Sequence, residues 1–237
     1  MEKRRVNRYY CVLKSILILA WPLFFFCSAH AQEPAAVRPA NVKVLSETKD
    51  KTGNVTRTIQ YDLNGKKITE IEIIPNNIGL HVPINPDTIN RDSLLVVVNK
   101  SKFDLEVYYR KKIIRCYKAV FGPKPMENKR MEGDRCTPEG WFTILSKNPR
   151  SKYNKFLLLN YPNDSSYARF NRLKQRGELP ASARIGGDVG IHGIWKGGDD
   201  MIEMGVSWTD GCIALRNKDV DDLYALVDTG CRVYIRK

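Results

Sequence analysis

Thr209-Asp210-Gly211-Cys212-Ile213-Ala214-Leu215-Arg216-Asn217 sets a cysteine directly after a glycine and then runs into three apolar residues. Downstream, residues 218–227 place Val220, Leu223, Tyr224 and Val227 on one face of a helix, with Asn217 as its cap and Gly230 beyond its end. Residues 231–235 then read as a closing strand. The quoted stretch is therefore a turn leading from strand into helix. Such a turn leaves backbone N–H groups without partners, and Gly211 lets them converge with no side chain in the way. Donors of this kind lower a thiol pKa from its free value of about 8.5 and hold a developing oxyanion. The alternative is that Cys212 is a small core residue or half of a disulfide.

A thiolate nucleophile wants a base, and histidine is the usual one. The chain has three histidines. His30 falls in a leader segment, and His81 sits in a Pro/Asn-rich connector as a surface or turn residue. His192 ends the alternating run Gly186-Gly187-Asp188-Val189-Gly190-Ile191-His192 and is followed by Gly193. A histidine at a strand end, with glycine after it, projects from the sheet edge where a pocket can form.

Working outward, short strands are predicted over 94–98, 105–109, 113–120, 140–145, 156–161 and 189–191. A first helix is predicted over 166–176, with Ser165 or Ser166 as cap and Gly177 past its end. Trp141, on a strand, is expected in the core. Trp195 and Trp208 bound a Gly/Asp-rich loop that reads as a lid or substrate contact. The basic residues Lys147, Arg150, Lys152 and Lys155 read as a solvated face. Residues 32–91 are more polar, with alternating segments and an Asn64-Gly65 hairpin signal, and predict a small β-meander ending in the connector 75–86.

The N-terminus reads as an export signal: a basic start, an apolar run over 16–29, and Ala29-His30-Ala31 as a small-x-small cleavage site. The run is shorter than the roughly 20 residues of a membrane span. Cleavage after Ala31 is therefore favoured over an uncleaved anchor, and membrane contact is expected only through the leader. The aromatic residues before Cys27 speak against a lipoprotein site. The domain plan is 1–31 signal peptide, 32–91 β-rich module and connector, and 92–237 catalytic domain.

The chain carries a formal charge of +13, of which the leader contributes five basic residues and one acid. A basic exported protein suits an anionic wall polymer or membrane surface, and export makes nucleic acid the least suitable partner. Without the leader, Cys116, Cys136, Cys212 and Cys231 remain, enough for two disulfides if none must stay free. There is no C-x-x-C pair and too few histidines for a zinc site, so no metal and no cofactor are expected.

With His192-Gly193 and Thr209-Asp210-Gly211-Cys212 in place, residues 92–236 resemble the YkuD-type L,D-transpeptidase catalytic domain, whose signature is His-Gly, a spacer and [Ser/Thr]-x-Gly-Cys. Residues 118–122, KAVFG, resemble the family's strand ending in glycine, and residues 133–144, GDRCTPEGWFTI, its "GD…TPEG.F.I" segment. The resemblance implies a mostly β fold with two short helices, a YkuD-like β-sandwich preceded by the small β-rich module. It also implies a periplasmic or cell-wall enzyme acting on peptidoglycan stem peptides. Cys212 would be the nucleophile, His192 the general base and acid, Gly193 the carbonyl that orients His192, and Gly211, with Cys212, the oxyanion-hole amides. Thr209 and Asp210 would support the turn. The chain departs from the family at Asp210, where many relatives have histidine, and at Ala214, where arginine or asparagine is usual. Some relatives with alanine there hydrolyse murein attachments, so a carboxypeptidase or endopeptidase is the alternative to a transpeptidase. A non-catalytic wall-binding scaffold is the other.

Overall fold

The computed structural model describes residues 42–51, 53–63, 65–74, 76–85 and 88–237. The expected leader, residues 1–31, lies outside them. The chain divides into two compact units, one ending at Asn76 and one beginning at Asn77. The first contains β1 (Lys43–Lys49), β2 (Val55–Leu63) and β3 (Lys66–Ile74) in an antiparallel meander of order β1-β2-β3. β2 and β3 stay in register down to Leu63↔Lys66, the two-residue connection that Asn64-Gly65 predicts.

The second unit holds β4 (Leu94–Asn99), β5 (Asp104–Tyr109), β6 (Lys112–Lys118), β7 (Gly140–Ser151) and β8 (Asn154–Leu159). After these come helix α1 (Asp164–Gln175), β9 (Gly190–His192), helix α2 (Asp199–Glu203), β10 (Ile213–Ala214), helix α3 (Asn217–Leu226) and β11 (Arg232–Arg236). Eight strands pair in the order β10-β9-β8-β7-β11-β4-β5-β6. β7 is the shared strand: its first four residues pair with β11, and the stretch from Ile144 onward pairs with β8 through two register shifts. Such irregularities bend a strand and raise its twist. The two ends of the sheet meet where Val120, just past β6, exchanges backbone hydrogen bonds of 3.0 and 2.9 Å with Ala214 of β10. The architecture of this unit is thus mostly β and folded over on itself.

Alternation explains which side faces inward. β4, β5 and β11 direct Val96, Val98, Leu105, Val107, Val233 and Ile235 into one core, where α3 adds Val220, Leu223 and Leu226. Removing a side chain this size from water is worth about 1.5–3 kcal/mol. Beyond the sheet, Gly79, Leu80 and Val82 hydrogen-bond along β6 to Cys116 and Ile114, so the Pro/Asn-rich connector continues the sheet edge.

Several local expectations differ. α2 is a third helix, inside the segment read as a lid, with Ile202 fully buried. α1 is capped by Asn163, whose side chain accepts from the Ser166 amide at 3.1 Å; Ser165 and Ser166 lie inside the helix. α3 begins at Asn217 with no side-chain cap, because the Asn217 carboxamide is engaged elsewhere. Trp141 is 53 % exposed and stacks on Tyr234 at 4.6 Å instead of entering the core; on this strand Phe142 and Ile144 face inward. Lys147 is not solvated: its ammonium reaches the Tyr224 and Val227 carbonyls at 2.7 and 2.6 Å, at the end of α3.

Candidate active site

β9 and β10 are short neighbouring strands that run parallel, with Ile191 opposite Ile213 and His192 opposite Ala214. Continuing that register places Cys212 level with Gly190. The pairing therefore brings the Cys212 and His192 segments side by side, with His192 two residues beyond the position level with Cys212. The Cys212 sulfur lies 3.5 Å from the Asp188 carbonyl oxygen, which a left-handed backbone at Asp188 (φ 55°) turns toward it.

His192 is 4 % exposed and its Nδ1 lies 2.7 Å from the Gly193 carbonyl. A carbonyl only accepts, so Nδ1 carries the proton and Nε2 is the free acceptor. The ring is confined by Tyr153 stacked at 5.2 Å, Phe156 at 6.1 Å and the edge of Trp208 at 5.7 Å, and Trp195 packs on Trp208. Burial lowers the imidazole pKa, partly offset by the Gly193 carbonyl. At Gly193 a Cβ would lie 2.5 Å from the Asn217 carboxamide oxygen and 2.9 Å from the Tyr153 carbonyl. That oxygen accepts from the Ile194 amide at 3.1 Å, and the Gly193 amide donates to Tyr153 at 3.0 Å. The helix cap expected of Asn217 is thus replaced by a clasp on the His-Gly turn, and the Asn217 amide donates to Asp199 of α2 at 2.9 Å.

The cysteine turn is built as closely. Thr209, 3 % exposed, donates its hydroxyl to the Cys212 carbonyl at 2.7 Å and accepts from the Gly211 amide at 3.3 Å. Gly211 has φ 133°, and a Cβ there would lie 2.7 Å from the Cys136 carbonyl. Asp210 is exposed and pairs with Arg135 at 3.1 Å, an ion pair of small energetic value. Arg216, whose role the sequence leaves open, joins Glu203 of α2 to Asp219 of α3.

Two residues beneath the turn escape a sequence reading. Lys129, 6 % exposed, pairs with Asp134 at 2.9 Å and lies 3.6 Å from where a Gly211 Cβ would be. Burial would raise the Asp134 carboxyl, but the amides of Arg130, Cys136 and Met131 together with Lys129 hold it below its usual value. The only signal was Asp134 inside the GD…TPEG segment. For Cys212, burial raises the thiol pKa; the Gly190 amide and Lys129 act against it, while Asp210 and Asp188 add to it. Thiol and imidazole are therefore both neutral near pH 7, an arrangement suited to general-base activation. Cys116, Cys136, Cys212 and Cys231 are all free thiols, and of these only Cys212 is not buried.

The sequence model of the YkuD family, the L,D-transpeptidase catalytic domain, matches residues 93–235. No curated protein matches. Among solved structures, the chain is similar to an L,D-transpeptidase from Xylanimonas cellulosilytica (16 % identity, 62 % of each chain covered, TM-score 0.40). It is similar to one from Stackebrandtia nassauensis (16 %, 63 % of this chain and 58 % of that one, TM-score 0.41). A third, from Mycobacterium smegmatis, shows 15 % identity over 83 % of this chain and 82 % of that one, with TM-score 0.39. The chain spans less than two thirds of the length of the first two.

Proposed function

This chain belongs to the YkuD family of L,D-transpeptidase catalytic domains, and from that membership we propose that it is an exported cysteine acyltransferase acting on peptidoglycan stem peptides. The observation that carries the reading is the parallel β9–β10 pairing that brings the His192 and Cys212 segments side by side, with Nδ1 committed to Gly193 and Nε2 left as the acceptor. In the proposed first step the Cys212 sulfur attacks the amide carbonyl before the terminal D-amino acid, and its proton passes to His192 Nε2. The Gly211 and Cys212 amides take the developing oxyanion, the Gly211 amide exchanging its long contact to Thr209 for the substrate oxygen. The C–N bond breaks, His192 returns the proton to the leaving amine, and a thioester remains. A side-chain amine of a second stem then attacks the thioester to form a 3→3 cross-link. Water in its place gives a carboxypeptidase.

The hydrolytic variant has one structural observation in its favour. Ala214, at the position where the family usually carries a polar or cationic side chain, is fully buried and bonded to Val120, and the Arg216 guanidinium is already paired with Glu203 and Asp219. Incubating the protein and its Cys212→Ala variant with purified murein tetrapeptide, followed by mass spectrometry of protein and products, tests both. The expected result is an acyl adduct on Cys212 with loss of the terminal D-amino acid, absent in the variant. A dimeric product marks the transferase, and a shortened stem the hydrolase. No Cys212-dependent adduct or product would overturn the reading in favour of a binding protein.

A further inference from the structure

β5 turns Leu105 and Val107 into the core, so Asp104 and Glu106 stand on the opposite face. They are nonetheless only 6 % and 4 % exposed. Cys116, the cross-strand partner of Glu106 on β6, is 1 % exposed. One carboxylate oxygen from each acid and the Cys116 sulfur all lie within 4.8 Å of one another. Among the described residues neither carboxylate has an ion-pair partner, and the Cys116 thiol makes no hydrogen bond. Two adjacent carboxylates and a thiol in such a place are costly unless something neutralises them. The Asp104 carboxyl is raised to about 6, chiefly by burial, with Glu106 adding to the rise and Asn99, Lys102 and Arg236 opposing it.

The surroundings are those of a prepared ligand set. Asn99 donates to one Asp104 oxygen at 2.6 Å, and the Tyr108 hydroxyl donates to one Glu106 oxygen at 2.9 Å. Each carboxylate is thereby oriented by a hydrogen bond to one of its oxygens, as metal-binding carboxylates commonly are. We propose that Asp104, Glu106 and Cys116 form a binding site for a divalent transition metal of the zinc class, remote in sequence from the His192/Cys212 pair. The thiolate selects a borderline-soft ion over Mg²⁺ or Ca²⁺. Tetrahedral zinc with sulfur and oxygen ligands needs donors about 3.3–3.8 Å apart, so the three groups need draw together only slightly, with water as the fourth ligand. On binding, the Cys116 S–H bond breaks, the sulfur's electron pair goes to the metal and the proton to solvent, with no change of oxidation state.

The test uses the full chain, reduced and stripped with EDTA, and titrated with Co²⁺ alone and then Zn²⁺. The expected result is one Co²⁺ per chain with a near-ultraviolet sulfur-to-cobalt charge-transfer band, bleached by one equivalent of Zn²⁺. Cys116→Ser and Glu106→Gln should lose the band, and Cys212→Ala should keep it. No stoichiometric uptake by the unmodified chain would overturn the proposal, as it would if the two carboxyls simply share a proton. A band that survives Cys116→Ser would overturn it equally. Because the unmodified chain gives its own answer, the test stands even if one variant does not fold.

Discussion

At the scale of single residues, Cys212 is held by opposing influences. Burial, Asp188 and Asp210 favour the thiol; the Gly190 amide and Lys129 favour the thiolate. Burial also lowers the His192 pKa. Lys129 is the one cation in the balance, and it lies on a segment distant in sequence from the turn. Lys129→Met should move the pH profile of Cys212 alkylation by iodoacetamide to higher pH and slow alkylation at pH 7, about tenfold for every pH unit the inflection moves. Lys129→Arg should restore most of the rate, whereas a merely structural lysine would leave the inflection where it was. The residue types that carry chemistry were legible because their neighbours are glycines with a mechanical reason to be there. Gly193 and Gly211 each stand where a Cβ would strike another residue's oxygen. Lys129 was not legible, since nothing in its spacing from residue 212 announces that the 129–136 loop passes under Gly211. The Asp104/Glu106/Cys116 cluster escaped for a related reason: its spacing is a product of β5–β6 register and not of a local motif.

At the scale of elements, apolar periodicity placed most strands and the two longer helices within a few residues, and the misses trace to polar side chains with several uses. Asn163 caps α1 while its amide also donates to the Trp141 carbonyl at 2.9 Å. Ser165 and Ser166 carry the same sequence signal for a cap but sit inside the first turn. Asn163→Ala should therefore cost about 1 kcal/mol, lowering the thermal midpoint by about 2–4 °C. Ser165→Ala should fall within about 0.5 kcal/mol of the parent, as surface substitutions do. Equal losses for the two variants in thermal melts would contradict the observed cap. α2 was missed because five residues carry too little periodicity to separate a helical turn from a Gly/Asp-rich loop. Its Asp199 nonetheless holds the Asn217 amide, which ties this short helix to the clasp on the His192-Gly193 turn.

At the scale of the whole molecule, a change of texture near residue 92 suggested where the catalytic domain begins, but composition does not report backbone pairing. Residues 77–91 are polar and rich in Pro and Asn, as a linker would be, yet the Gly79 amide donates to Cys116 at 2.8 Å, Val82 to Ile114 at 2.9 Å, and the Cys116 amide to Leu80 at 3.1 Å. Arg115, 4 % exposed, adds a bond to the Val82 carbonyl at 2.5 Å and an ion pair to Asp222 of α3 at 2.8 Å, and His81 lies 3.5 Å from the same carboxylate. Cutting at Asp92 would uncover the β6 edge and remove its four hydrogen bonds to residues 79–82, each worth about 0.5–1.5 kcal/mol net. A chain starting at Asn77 keeps all of them, and every residue of the main core with them. Urea denaturation of the two shortened chains should therefore separate them by about 2–6 kcal/mol in favour of the longer. The exposed β6 edge should also make the shorter chain the more prone to associate. Equal midpoints would mean that residues 77–91 only rest on the edge, and the domain would then begin where the composition changes. A clear difference would make the connector a structural part of the catalytic unit, supporting β6 on the face where Glu106 and Cys116 meet.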